Sequence, residues 1–154
     1  MKQVRILFVC HGNICRSTMA EYVMKHLVER AGLTSQFVID SAATSREEIG
    51  NPPHRGTRRM LEANGIACGD HRARQIRRSE AADWDLIVGM DSANIRNIRT
   101  AMGTAAQGKV YKLMEFVGCT DDVADPWYTG DFETTFDDVM AGCTGLLAFC
   151  RKGL

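Results

Sequence analysis

No stretch of this 154-residue chain is apolar for long enough to cross a bilayer. Nothing like a leader opens it either, since Lys2 and Arg5 flank an apolar run of only strand length. The expectation is a cytoplasmic protein with no membrane partner. Net charge is lacking too. Nineteen Lys and Arg balance nineteen Asp and Glu, so nothing draws the chain as a whole towards nucleic acid. The six cysteines include no Cys-x2-Cys pair and the histidines no His-x3–5-His, which argues against zinc; neither a metal nor a cofactor is expected. Without an export signal, six cysteines also argue against a disulfide scaffold. There is no Gly-x4-Gly-Lys-Ser/Thr, and no Gly-x-Gly-x2-Gly after the first strand, so a nucleotide-binding loop fails at the motif. Repeats, low-complexity segments and linkers are missing. One domain over residues 1–154 is expected, with 45% hydrophobic residues to build its core.

What is present is concentrated near the start, in Val4-Arg5-Ile6-Leu7-Phe8-Val9-Cys10-His11-Gly12-Asn13-Ile14-Cys15-Arg16-Ser17. An apolar run ends at a cysteine, a short loop follows, and a helical pattern begins. This is a strand, a tight anion-binding loop and a helix N-terminus. At such a junction backbone amides and the helix dipole favour a sulfur anion. Arg16 returns to the same hollow, where its planar fork matches two oxygens of a phosphate-like group.

The rest of the chain alternates. Ala20, Val23, Leu27 and Ala31 keep helical spacing up to Gly32. Phe37-Val38-Ile39 reads as a second strand ending at Asp40-Ser41, and Asn51-Pro52-Pro53 as a turn. A helix is expected from His54 to Asn64, and an irregular, charge-rich connection from His71 to Ser79. Arg72, Arg74, Arg77 and Arg78 read as a solvated basic edge beside the anion site. Asp85–Met90 and Val110–Leu113 read as strands three and four, with a helix from Asp91-Ser92 to Gly103 between them. A long loop, Gly118 to Gly130, precedes a last helix over roughly Asp131–Arg151, which carries Cys143 and Cys150 in its core face. The fold class is therefore α/β: an open four-stranded parallel sheet with helices on both faces, Rossmann-like. Ligands of such sheets bind beyond the C-terminal strand edges, where Cys10, Ser41, Asp91 and, one loop further, Asp125 fall.

Hydrolysis of a phosphate ester needs a nucleophile, charge stabilisation and a proton for the leaving group. Cys10 is the expected nucleophile and Arg16 the clamp on the phosphoryl oxygens. The amides of His11, Gly12, Asn13, Ile14, Cys15 and Arg16 would form the anion nest, with Gly12 supplying a backbone shape closed to other residues and Asn13 tolerating a left-handed one. Ser17 is a natural helix cap whose hydroxyl can also point at the Cys10 sulfur. Asp125 reads equally as a general acid or as an ordinary Asp-Pro turn, and Trp127 and Tyr128 as walls of a slot for a flat ring.

The string Val-Cys-x-Gly-Asn-Ile-Cys-Arg-Ser after a first strand, within Cys-x5-Arg-Ser, resembles the phosphate-binding loop of the low-molecular-weight protein tyrosine phosphatases. Asp40-Ser41, His71-x-Ala73-Arg74-Gln75, Met90-Asp91 and Asp125-Pro126-Trp127-Tyr128 resemble segments of the same family in the same order, so the likeness covers nearly the whole chain. It implies hydrolysis of phosphotyrosine, on a phosphoprotein or a small aryl phosphate, through a cysteinyl phosphate and without metal. It makes Asp125 the acid, has Ser41 and His71 hold Asn13, and gives Asp91 a structural role, where an N-cap is the plainer alternative. Cys15 is either packing or, as the resemblance favours, a redox partner of Cys10. Ile14 stands where members acting on phosphoarginine carry threonine. Arg46-Glu47-Glu48-Ile49-Gly50 lacks the rim aromatic of vertebrate relatives, so one wall of the slot is expected to be weak or polar. A monomer that holds a phosphate- or sulfate-type anion in its loop is expected.

Two alternatives stay in view. An arsenate reductase of the same fold wants a separate cysteine pair on a flexible segment, and only Cys68 lies in that region. Asp125 would have no purpose there, and against a phosphocarrier or phosphate-binding module stand Arg16 and Asp125 together.

Overall fold

The apolar run at the start becomes the centre of the sheet. In a computed structural model that describes residues 3–153, β1 (Val4–Cys10) pairs in parallel with β2 (Phe37–Ala43) on one side and β3 (Leu86–Gly89) on the other, and β4 (Val110–Lys112) extends the sheet beyond β3. The order is β2-β1-β3-β4. A strand with neighbours on both edges and helices on both faces is apolar where it is covered, and β1 is buried without a break from Ile6 to Cys10, with Arg5 at its partly exposed start. Alternate residues nevertheless serve different cores. Ile6, Phe8 and Cys10 join the larger cluster under α1 (Arg16–Arg30) and α5 (Phe132–Arg151). Leu7 and Val9 join a second cluster with Ile98 and Met102 of α3 (Ser92–Met102) and with Trp84. Each fully buried aliphatic or aromatic side chain in these layers contributes roughly 1.5–3 kcal/mol of transfer free energy. Cys143 and Cys150 lie buried on α5, as their spacing indicates.

Several boundaries differ from expectation. β2 runs on to Ala43, because Ala42 and Ala43 lie buried in register with Val9 and Cys10. The segment after His71 is irregular but not solvated: Ala73 and Ile76 are buried, and Gln75 forms a parallel bridge with Ala43. Charge dominates that stretch, yet its apolar residues still close the sheet edge. Arg74 departs from the basic edge and turns inward to Glu80 and Asp40, at 3.0 and 3.1 Å. Leu113 leaves β4 to pack on Gly142, where a Cβ would sit only 2.5 Å from its Cγ. α2 (Arg55–Ala63) follows the Pro52-Pro53 turn, and a one-turn helix, α4 (Pro126–Thr129), interrupts the long loop before α5. Among the described residues, no helix is long and apolar enough to cross a membrane.

The chain crosses from β1 to β2 on one side and then returns past β1 to β3 on the other, so the strand order reverses at β1. The crevice at such a reversal, beyond the strand ends, is where open α/β sheets bind ligands. Cys10 is the last residue of β1 and stands at that point.

Candidate active site

Cys10 is 3% exposed, and its Sγ lies 3.0 Å from Ser17 Oγ and accepts the Asn13 N–H at 3.3 Å. The turn that makes this possible is at Asn13, the one non-glycine residue with positive φ (61°) among those described. Gly12 is outside that region. The expectation of a special backbone at Gly12 is therefore corrected: Asn13 takes the left-handed position, and a Cβ on Gly12 would meet only Glu48 Cγ, at 3.4 Å.

Asn13 pays for its conformation with side-chain bonds. Its Nδ2 donates to Ser17 Oγ (2.8 Å) and Ser41 Oγ (3.0 Å). Its Oδ1 accepts His71 Nε2 (2.8 Å) and the Arg74 N–H (3.2 Å). Those partners orient the amide unambiguously. Ser41 in turn donates to Glu21 Oε1 at 2.6 Å. Ser17 is not the helix cap. It is the second residue of α1, behind Cys15, which caps without a side-chain bond. The serine's hydroxyl is thus free to serve the sulfur.

Arg16 opens α1 and is 2% exposed. Its Nη1 donates to Asp91 Oδ2 (2.7 Å) and to the Val123 carbonyl (2.9 Å), and its Nη2 lies 3.4 Å from Asp125 Oδ2. Burial pulls the guanidinium pKa down, but the Cys10 charge, the Asp91 bond and Asp125 outweigh it, and the net shift is upward. A permanent cation is thereby fixed beside the sulfur. Asp91 fills both roles considered for it: Oδ2 holds Arg16, while Oδ1 accepts the Asn94 N–H at 2.7 Å and caps α3.

Asp125 forms the expected Asp-Pro turn and also faces the cavity. Its Oδ1 accepts the Trp127 N–H at 3.0 Å and caps α4, and its Oδ2 faces Arg16. Cys10, His11, Gly12, Ile14, Cys15, Arg16, Asp125, Trp127 and Tyr128 line one cavity of about 200 Å³. Ser17, Ser41, His71 and Asp91 do not line it and act from behind, through Asn13, the sulfur or Arg16. Burial, then the Cys10 charge, pushes the Cys15 thiol up to about 12.

Two residues of the site, Glu21 and His54, escape a sequence reading, while Glu47 and Glu48 supply the polar wall expected of their loop. Glu21 is a buried carboxylate on the apolar face of α1, a charge out of place in a hydrophobic stripe, and that anomaly was its available signal. It binds Ser41 and, through Oε2, Lys25. Glu47 and Glu48 line the cavity from the Arg46–Ile49 loop. His54 donates its backbone N–H to the Ile14 carbonyl (2.7 Å), and its ring stacks on Phe132 at 5.0 Å and meets Trp127 edge-on at 5.9 Å. Glu21, Asp40 and His71 bring potential metal-ligand atoms within 4.8 Å of one another. Each already has protein partners, namely Ser41 and Lys25, Arg74, and Asn13. The group is a brace for the loop rather than a set of free ligands.

The family of low molecular weight phosphotyrosine protein phosphatases matches residues 5–153. The chain is 40% identical over 151 residues to the low molecular weight protein-tyrosine-phosphatase YfkJ of Bacillus subtilis, covering 97% of both. The YfkJ crystal structure superposes with a TM-score of 0.94, at 39% identity, over 99% of this chain and 97% of that one. The low molecular weight phosphotyrosine protein phosphatase of Schizosaccharomyces pombe is 42% identical over 132 residues, 84% of each chain. The crystal structure of SP-PTP, the low molecular weight protein tyrosine phosphatase of Streptococcus pyogenes, gives a TM-score of 0.86 at 40% identity, over 97% and 93%.

Proposed function

The chain belongs to the family of low molecular weight phosphotyrosine protein phosphatases, and on that premise we propose how its own residues hydrolyse phosphotyrosine. One observation carries the reading: a sulfur, a buried guanidinium and a carboxyl line the same cavity, at the end of the central strand.

The phosphate of the substrate enters above Cys10. Arg16 Nη1 is held by Asp91 and Val123, so the guanidinium cannot swing away. Its remaining donors take two equatorial oxygens, and Nη2 exchanges its long contact with Asp125 for phosphate. Cys10 Sγ attacks phosphorus in line and the P–O bond to the ring breaks. Asp125 gives its proton to the departing phenolic oxygen. A water then attacks the cysteinyl phosphate, Asp125 takes the proton of that water, and the P–S bond breaks. The Ser17 hydroxyl and the Asn13 amide receive the returning sulfur anion. Charge on the transferring group is met throughout by fixed donors, which is where most of such catalysis comes from. Trp127 and Tyr128 flank the ring.

Cys15 is the resolving thiol of an oxidised state in this proposal. Peroxide takes Cys10 to a sulfenic acid with release of water. The Cys15 thiol then displaces a second water to form a disulfide, which an added thiol reduces. Reactivation of the peroxide-treated wild type by dithiothreitol, and its loss in Cys15→Ser, checks this step. The acting unit is one domain over residues 1–154, as a monomer in the cytoplasm, and sedimentation at working concentration tests the monomer.

The test of the main reading is a panel of phosphotyrosine, phosphoserine and phosphoarginine substrates with EDTA present. Phosphotyrosine turnover is expected to exceed the other two and to be unaffected by EDTA. Ile14, which lines the cavity and is 8% exposed, presents a methyl surface where a guanidino group would need a polar partner. Preference for phosphoarginine would overturn the substrate reading.

A further inference from the structure

Two carboxylates stand at the mouth of a pocket built for an anion. We propose that Glu47 and Glu48 select phosphotyrosine flanked by a cationic residue, an arginine or lysine beside it in the peptide, and disfavour phosphotyrosine in an acidic context. The inference rests on the phosphotyrosine reading above and adds the class of peptide.

Glu47 and Glu48 line the cavity together with Cys10, Arg16 and Asp125. The Glu47 side chain is 69% exposed and pairs with His11 Nε2, while Glu48 Oε2 accepts Asn51 Nδ2 at 2.9 Å. Among the described residues, the cations lining the cavity are Arg16, buried and bonded to Asp91 and Asp125, and His11, which becomes one only when protonated. The arginine of the same loop, Arg46, is exposed and has its Nε directed to Gln75 Oε1 at 3.4 Å. A phosphate dianion approaching this mouth is repelled by the rim before the floor can hold it, within the Debye length at physiological salt. A substrate carrying its own positive charge next to the phosphotyrosine reverses that term. Another lining residue suits the same partner, since Trp127 is 57% exposed and offers a ring to a guanidinium or ammonium. The preference is local in origin. The chain has no net charge, so its overall field favours neither kind of peptide.

The experiment compares kcat/KM for two phosphotyrosine peptides that differ only in flanking residues, Arg and Lys in one and Glu in the other. With the wild type at low salt the basic peptide is expected to win roughly tenfold, as one or two partly exposed charge pairs can supply. The ratio shrinks towards unity at about 0.5 M salt, where the Debye length falls to a few ångströms. In the Glu47→Gln, Glu48→Gln double variant the low-salt ratio falls to about twofold or less, with the single variants between. A wild-type ratio of one or below overturns the inference, and so does a ratio unchanged in the double variant. Equal hydrolysis of both peptides leaves the phosphotyrosine reading standing and removes only the rim selection. Hydrolysis of neither removes both. The wild-type ratio and its salt dependence decide the matter even if the variants fold poorly.

Discussion

The floor of the cleft and its rim face the same substrate under opposite conditions. On the floor, Cys10, Asn13, Arg16 and Ser17 are all buried, and Asn13 alone makes four side-chain bonds. On the rim, Trp127, Tyr128 and Glu47 stand mostly in solvent, with Tyr128 82% exposed. A buried, fully bonded floor has one arrangement and presents it before substrate arrives, which is what electrostatic stabilisation of a transition state requires. An exposed rim can be rebuilt without unfolding anything. Changes to the floor should therefore weaken all substrates alike, and changes to the rim should separate one substrate from another.

The largest effect tests the floor. Cys10→Ser removes the nucleophile and is expected to abolish turnover of every aryl phosphate while leaving a folded protein that still binds phosphate, as measured by titration calorimetry. Residual activity near that of the wild type on any one substrate would break the comparison at its base. Asp125→Ala comes next and behaves as a border case. It should cost about 10²–10³ in kcat for substrates with poor leaving groups and far less for p-nitrophenyl phosphate. Uniform slowing across a series of leaving-group pKa values would move Asp125 from the acid role to the floor.

Asn13→Ala sharpens the contrast, because Asn13 touches no substrate ring. Loss of four side-chain bonds and the cost of a left-handed alanine predict about 2–4 kcal/mol of lost stability. The loop then relaxes, and kcat/KM should fall about tenfold or more, equally for all substrates. Trp127→Ala is the rim counterpart. It should raise KM for aryl substrates a few-fold, leave kcat nearly alone and leave thermal stability within about 0.5 kcal/mol. His54 belongs with it: its ring, wedged between Trp127 and Phe132, sets the angle of that wall.

The same contrast explains what could be read from the sequence. The floor was legible because its chemistry lies in one run of eight residues, and because a strand, a loop and a helix start each leave a local pattern. Asn13 as the left-handed residue, Arg16 in the same hollow as the sulfur and Asp91 near the site all follow from such patterns or from the family likeness. Gly12 misled, since glycine suggests an unusual φ, whereas here the neighbouring asparagine takes it. Ser17 was half right: it does not cap the helix but sits inside it, while its hydroxyl meets the Cys10 sulfur as its position suggested. Glu21 and Arg74 escaped because a charge in a helical stripe or a basic run gives no sign of its partner 20 or 34 residues away. The rim was legible in part: Trp127 and Tyr128 from their rings beside Asp125, and the loop at 46–50 as a polar wall through the family likeness. No spacing rule by itself brings Glu47 and Glu48 into the same cavity as Trp127, because tertiary packing decides which loop faces the pocket.

The smallest predicted effect on chemistry tests how the floor is held from outside. The Arg74 N–H and His71 both bond Asn13, so the segment between them must be anchored. Glu80 does this: it takes both Arg74 Nη atoms at 3.0 Å, the Arg77 N–H at 2.8 Å and the Trp84 indole N–H at 3.2 Å. Burial raises the Glu80 pKa, but the bonds to Arg74, Arg77 and Trp84 exceed that effect, and the net shift is below the usual carboxylate value of 4.5. A depressed folded-state pKa means that the stabilisation is present above the unfolded value and is lost as pH falls through the folded one. Glu80→Gln should therefore be less stable than the wild type at pH 7, by about 1–3 kcal/mol. That gap should narrow as pH drops below 4.5, because the wild type is then losing the same contribution. Denaturant titrations at a series of pH values measure it. A gap constant with pH would assign the loss to shape rather than charge. A large, substrate-selective change in kcat/KM at neutral pH would show that this anchor reaches the rim, and the division between floor and rim would have to be redrawn.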